Sequence, residues 1–499
     1  MNKAIKNILS SSLPQGINII SSLILPTLII TIYGSEINGL ISTTRAILGY
    51  IALVGAGISA AVTQSLYEPV AKKDVPVVKG MLHAADNMFN RYGRMYVLIT
   101  LAVSLIYPFF IKNINSYATV SLLLIVMSIS GASEFFIVGY CRTLLYANQK
   151  VYVNSIIQAV SLSVSLLLAI LLLKLEVNII IVQLGISATY ICRSILLNIY
   201  VHRTYPQYKE FRSVPPIART VQKRKNALIH HLSGLMTLGT QSMILTFFIG
   251  LNAASIYAVY NIVFAGLTSI CAQLNNAVIP FFGKEFALNN NKKLNVMYGI
   301  WELCFFHLVT FVYCVTMIMI VPFVALYTKK ADINYIYPVF AATFVYASSF
   351  YILKIPSNSV INAAGHFKET QGRAMIEASL SFILGIICTK LFGLIGVLIG
   401  MAIALGWRCI DTVYYTNKHI LKRKHLKSFL RLGFVYLSLT ICCIVSFKSN
   451  YFCANYLEWI VQSCKISFCV LVCLGIESVL FEHKTLMQIV RYLKHRKFE

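Results

Sequence analysis

The residues of this sequence able to do chemistry are charged and amide side chains set inside long apolar blocks. A charge placed in hydrocarbon costs at least about 2.5 kcal/mol, so each one needs an account. Arg45 lies inside the apolar block 40 to 66. Its guanidinium either snorkels to the phosphate groups of surrounding lipid or serves as a cation in a wet cavity. Lys354 offers the same choice about one turn from the end of its block. Glu134 is the most interior acid of the first half. Such a carboxylate either binds a proton, a sodium ion or an organic cation, or is neutralised by a neighbouring helix. Arg408 and Asp411 stand three apart on one helix face and are expected to neutralise one another. The amides Gln15, Asn18, Gln158, Gln241, Asn261, Gln273, Asn275 and Asn276 either bond hydroxyl groups of a bound molecule or join helices to each other.

These side chains have to be held by the blocks around them. Of 499 residues, 58% are hydrophobic and 12% charged, with a mean hydropathy of +0.73. A soluble chain of this length forms about three domains, each needing roughly a quarter of its residues charged at the surface. The apolar residues instead fall in blocks near the bilayer-spanning length of about 20. They give fourteen candidate spans, at 14–33, 40–66, 95–111, 118–140, 153–173, 179–199, 228–249, 257–282, 300–327, 336–358, 376–389, 394–416, 429–447 and 459–480. No alternation of apolar and polar residues marks barrel strands. The fold class is therefore an all-α polytopic membrane protein with about 14 transmembrane helices.

The net charge of +26 is unevenly placed. One set of gaps holds Lys72, Lys73, Lys79, Arg91 and Arg94, then Arg142 and Lys150, then the basic run through Lys225 and later Lys418 to Lys427. The alternate set holds only Lys112, Lys174, Lys329, Lys330, Lys390 and Lys448. By the positive-inside rule both termini are cytoplasmic and the basic charge faces anionic lipid, which leaves nucleic acid a poor partner. Lys3 and Lys6 precede an apolar stretch without a small-residue cleavage site, so it reads as a retained first span. The thirteen cysteines follow no ligand spacing and act as small hydrophobes. The histidines, His230 and His231 included, form no ligand set. With no Walker lysine motif either, no metal and no cofactor is expected.

A constant shift of 216 residues brings the halves into register. Gly34 falls on Gly250, Arg45 on Asn261, and Ala147 on Ala363. The organisation follows: a six-helix lobe at 1–199, a basic linker at 200–227, a second six-helix lobe at 228–416, and two additional helices with a basic tail at 417–499. Two six-helix lobes of like orientation enclose a central cavity, and rocking one against the other gives alternating access.

Three blocks carry a resemblance to a known family: YGSEINGLISTTRAILGYIALVGAGISAAVTQSLYEPVAKKD, YCRTLLYANQKVYV, and PSNSVINAAGHFKETQGRAMIEA with KLFGLIGVLIG. The sequence resembles the polysaccharide and oligosaccharide flippases, within the superfamily that also contains multidrug and toxin extruders. The resemblance implies fourteen helices in two lobes and a bacterial cytoplasmic-membrane protein. It also implies translocation of undecaprenyl-diphosphate-linked oligosaccharides for O-antigen or capsule assembly. Membrane lipids and other polysaccharide assembly proteins would be its partners, and the protein is expected to act as a monomer.

On that resemblance Arg45 pairs with the substrate diphosphate, with Lys354 the next candidate. Gln15, Asn18, Gln241, Asn261 and Gln273 bond sugar hydroxyls, and Glu134 is the carboxylate for ion coupling. Spans 1, 2, 7 and 8, which hold most of the amides, border the cavity in family members. Two other readings remain open. An ion-coupled exporter of organic cations would need acids in its cavity rather than Arg45. A membrane glycosyltransferase or polymerase would need a large aqueous loop, which the short outer gaps do not supply. No catalytic residue is assigned.

Overall fold

The computed structural model describes residues 3–111, 116–217, 233–237, 239–288, 291–449, 453–483, 485 and 487. Lys112, the basic stretch 218–232 with His230 and His231, and the basic tail from 488 lie outside the described residues. All described regular structure is helical. Among the described residues, twelve segments are long and apolar enough to cross a membrane. One of them, Lys368–Ile420, contains two helices that meet at the turn Gly393–Ile395. With the shorter helix Gln241–Phe248 in the region of the seventh span, the fourteen-helix reading stands.

The chain divides into two compact units. The first comprises Met1–Ala258 with Lys330–Ile333. Its helices are α1 Lys3–Tyr33, α2 Ser35–Ala52, α3 Ile58–Ala71, α4 Val75–Ile106, α5 Tyr117–Ser133, α6 Gly139–Ala147, α7 Val151–Lys174, α8 Ile179–Thr204, α9 Gln241–Phe248, and the first residues of α10, Leu251–Ala287. Helix α1 runs through Pro14 and Pro26. The single block expected at 40–66 is broken at Leu53–Gly57, where a short 3-10 turn and a left-handed Gly57 separate α2 from α3.

The gap expected from 67 to 94 is helical apart from three residues. Asp74 accepts a hydrogen bond from Val77 N at 3.2 Å and starts α4 twenty residues earlier than apolarity suggested. Met81, Leu82, Ala85 and Phe89 bury one face there while Arg91 and Arg94 stay exposed. That stretch is amphipathic rather than apolar, so a hydropathy window passes over it. At 1.5 Å per residue α4 is about 48 Å long, well beyond the roughly 30 Å hydrocarbon core. Part of the basic segment after α8 folds onto this extension. Tyr205, Tyr208 and Phe211 are buried in the same core, Arg212 pairs with Asp86 at 2.9 Å, and Ile217 N donates to Gly80 O at 3.0 Å.

The second unit comprises Val259–Lys329 and Asn334–Glu499. It holds the rest of α10, then α11 Asn291–Tyr327, α12 Pro338–Leu353, α13 Ile355–Ala364, α14 Phe367–Phe392, α15 Gly396–Tyr415, α16 Leu426–Ser449 and α17 Tyr456–Phe481. Asn455 caps α17 by accepting from Glu458 N at 2.9 Å, while Glu458 accepts from Ala454 N at 2.8 Å, a reciprocal cap. Small residues let α14 and α15 close on each other. A Cβ at Gly396 would lie 1.9 Å from the Cys388 carbonyl oxygen.

The shift of 216 residues governs the helix boundaries as well as the loops. It carries Ser35, Val75 and Val151, the first residues of α2, α4 and α7, onto Leu251, Asn291 and Phe367, the first residues of α10, α11 and α14. Gly34 and Gly250 both have positive φ, 85° and 134°.

Candidate functional site

In the first unit, polar bonds fix the rotation of α2. Asn38 Nδ2 donates to Ser255 Oγ at 2.8 Å, the Thr43 and Thr246 hydroxyls lie 2.6 Å apart, and Ser42 and Ser242 meet at 3.3 Å. Tyr50 bonds the Thr240 hydroxyl and donates to Leu235 O at 3.0 Å. Gly39 makes the approach feasible, because a Cβ there would stand 2.0 Å from the Leu251 carbonyl oxygen. Arg45 continues the stripe of Asn38 and Ser42 at i, i+4 and i+7. Its side chain is exposed, with Tyr190 of α8 in electrostatic range, and among the described residues it has no acid partner.

Glu134 sits in a single π-helical turn, Glu134–Val138, between α5 and α6. Arg193 Nη1 of α8 bonds one carboxylate oxygen at 2.7 Å and Arg142 Nη1 of α6 bonds the other at 3.1 Å. Arg142 Nη2 also donates to Ser59 Oγ at 3.0 Å. A sodium ion or organic cation reaching Glu134 would share its carboxylate with two guanidinium groups.

Lys354, between α12 and α13, is buried in the second unit and donates to Glu377 of α14. It does not reach along the helix to an interface, because an acid waits beside it. Arg408 Nε bonds the other oxygen of Glu377 at 3.2 Å, and Arg408 Nη1 reaches Asp411 at 2.8 Å, the pair expected from spacing. Arg373 closes the chain on the remaining Asp411 oxygen. Charges inside hydrocarbon are thus arranged as an alternating ladder, Lys354, Glu377, Arg408, Asp411, Arg373.

A third network ties the last two helices to α11. Glu302, fully buried, accepts from Arg431 at 2.8 Å, Arg423 at 3.1 Å and Tyr298 at 3.0 Å. Arg431 also holds Glu482, just past α17, through two bonds of 2.7 and 2.9 Å. Burial opposes the Glu482 charge, but Arg431, Thr485 and Lys427 outweigh it and bring the carboxyl down to about 2.

The amides are dispersed. Gln15 and Asn18 are exposed on α1, Asn261 is half-buried and Gln273 exposed on α10. Gln241 is buried and donates to Thr237 O at 2.6 Å, so its amide nitrogen bonds the segment that precedes α9. Asn275 accepts from the Ser359 hydroxyl, which makes it a helix joiner, and the side chain of Asn276 lies outside the described residues. Sequence reasoning missed Arg193, Glu377 and Glu302 as partners. Each is a charge within or at the edge of a span, which is signal enough to have sought it. Among the described residues no three His, Cys, Asp or Glu side chains converge as a metal site.

No family model matches the sequence, and no curated protein matches it. Solved structures do. A multidrug resistance MATE family transporter of the MOP superfamily, in its inward-facing conformation, superposes with a TM-score of 0.67 at 13% identity, covering 83% of this chain and 99% of that one. The lipid II flippase MurJ, in an inward closed conformation, gives a TM-score of 0.67 at 13% identity over 96% of this chain and 99% of its own. A MOP superfamily transporter from Pyrococcus furiosus, described as having a binding pocket of reverse polarity, gives 0.57 at 11% identity, over 85% of this chain and 96% of that one. These likenesses are of fold alone: the chain, with its long apolar helices, shares the multi-helix membrane fold of these three structures.

Proposed function

We propose that the protein is a flippase that carries undecaprenyl-diphosphate-linked oligosaccharide units across the bacterial cytoplasmic membrane by alternating access, for O-antigen or capsule assembly. The observation that supports this reading most is the charge inventory of the spans. Among the described residues Arg45 is an exposed guanidinium without an acid partner, whereas Asp86, Glu134, Glu302, Glu377 and Asp411 each bond an arginine or lysine; Glu477, which meets His307 at 3.5 Å, lies in α17 beyond the two six-helix lobes. A site for an anionic diphosphate needs the first, and an exporter of organic cations needs an uncommitted acid. The likeness to MurJ also spans a larger share of the chain than the likeness to the MATE transporter.

The competing reading is an ion-coupled exporter of organic cations, favoured by the equally high TM-score of the MATE transporter. Deleting the gene separates the two. Under the flippase reading an undecaprenyl-linked oligosaccharide accumulates on the inner face and surface polysaccharide is lost. Normal polysaccharide with a new sensitivity to cationic drugs would establish the exporter instead.

The lysine and arginine asymmetry supports a cytoplasmic location for both termini and for residues 200–227. A single cysteine at Lys223, on a cysteine-depleted background, is then shielded from an impermeant thiol reagent in intact cells. One at the exposed Glu36 reacts. The reverse pattern would overturn the orientation.

A further inference from the structure

We propose that Arg142, Arg193 and Ser59, gathered around Glu134, form a second anion site in the first unit. It receives the diphosphate group of the substrate at a different station from Arg45. The inference rests on the flippase reading above.

The cluster carries two guanidinium groups against one carboxylate, a net charge of +1 among these four residues. Arg193 also bonds Asn154 at 3.5 Å, and the donors to spare are on Arg142. Arg193 is 5% exposed, and its Nε is buried with no hydrogen-bond partner among the described residues. Arg142 has a side chain 30% exposed, and its recorded bonds go to Glu134 and Ser59 alone. A guanidinium has five N–H donors, so three of them are open to an incoming oxygen. Ser59 accepts from Arg142 and keeps its own hydroxyl proton to donate.

A helix end adds to this. Ser59 is the second residue of α3, which starts afresh at Ile58 after the left-handed Gly57. The first N–H groups of a helix have no partner within it, and the helix dipole turns its positive end toward them. Arg142 and a helix N-terminus meet at the Ser59 hydroxyl, and Arg193 joins them through Glu134, a combination suited to phosphate oxygens.

Spacing supplies the role. Ser59 follows Arg45 by fourteen residues in sequence, beyond the break at Leu53–Gly57 that separates α2 from α3. A diphosphate passing from one helix to the other gains a cation at each of two stations. Glu134 tempers the lower-affinity member, since a site on a path has to release its ligand as well as bind it.

The test is pyrophosphate binding by the purified full-length protein, followed by titration calorimetry, with unfolding temperature checked for every variant. Arg142→Gln is expected to weaken binding about tenfold or more, the loss of one charge-assisted contact, and Arg142→Lys to retain part of it. Ser59→Ala, which preserves every charge, is the second variant and is expected to weaken binding severalfold. Unchanged binding in both Arg142→Gln and Ser59→Ala, or none to the wild type, overturns the site. A parallel arm uses nanodiscs with and without phosphatidylglycerol. Abolition of pyrophosphate binding by that lipid would assign the site to a headgroup and overturn the substrate assignment. The deletion strain tests the flippase reading separately. Accumulation there with Arg142-independent binding removes this site alone, whereas absence of accumulation removes the substrate and the proposal with it.

Discussion

Gln149 and Gly365, 216 residues apart, close the same turn in their respective units. Both are left-handed, with φ of 57° and 73°. Lys150 N donates to Leu145 O at 2.9 Å and Gln149 N to Tyr146 O at 3.0 Å; the counterparts run from His366 to Ile361 and from Gly365 to Asn362, at 3.1 and 3.2 Å. Each is a Schellman cap, which favours glycine at the left-handed position. A Cβ at Gly365 would meet nothing within 4 Å, so Gly365→Ala costs backbone strain alone, about 1 kcal/mol. Gln149→Gly is expected to be neutral or to stabilise by less than that. Denaturant unfolding of both variants in detergent checks the pair, and a loss above about 3 kcal/mol for Gly365→Ala would contradict the account.

Replacing Arg45 separates phosphate recognition from snorkelling. Arg45→Ala is expected to abolish export while the protein still inserts. Arg45→Lys should keep part of the activity, because a point charge replaces a fork of parallel donors. Arg45→Glu should be inactive through repulsion of the diphosphate. Complementation of a deletion strain, with membrane levels checked by immunoblot, measures all three. Full export by Arg45→Ala would return the residue to lipid contact.

Neutralising Glu377 strands the buried Lys354 and leaves Arg408 with Asp411 alone. Glu377→Gln is expected to destabilise the second unit by about 3 to 5 kcal/mol, the cost of leaving a buried charge unpaired. Adding Lys354→Met should recover part of that loss, since the remaining Arg408 still has Asp411. Unfolding of the single and double variants gives the coupling directly, and strictly additive losses would mean that the bond does not matter.

Glu482 makes the attachment of α17 acid-sensitive. Its carboxyl is held at about 2, below the ordinary value of 4.5, so its contribution is complete above about pH 4.5 and is lost as pH falls toward 2. The loss is of the order of 2 kcal/mol. Stability of the wild type is expected to decline across that window. Glu482→Gln should be weaker at neutral pH and flatter between pH 4.5 and 2. Parallel curves for the two proteins would remove Glu482 from the explanation.

Apolar blocks, the 216-residue shift and the Arg408–Asp411 pair could be read in the sequence because each depends on local spacing. The start of α4 could not, since Lys79, Arg91 and Arg94 lower the hydropathy of a helix whose buried face is set by the segment 205–217 packing on it. Glu377, the partner of Lys354, and Arg193, one of the two partners of Glu134, lie on other helices, 23 and 59 residues away in sequence, and only the fold brings them together. The turn beside Glu134 was hidden for another reason. A π-helical turn leaves no composition signature in a run such as EFFIV.

In the first unit Glu134 is held by Arg142 and Arg193, and in the second Glu302 is held by Arg423 and Arg431. For inheritance this matters. A unit with charge networks of its own can change them freely, provided that a cation and its acid change together. The turns at Gln149 and Gly365 have kept their form, whereas the charges nearby have been rewritten: Arg142 corresponds to Asn358, and Glu134 to Phe350. Half-chains exchanged between relatives would therefore carry their electrostatics with them intact, and recombination between the halves is a feasible route to new members of this fold.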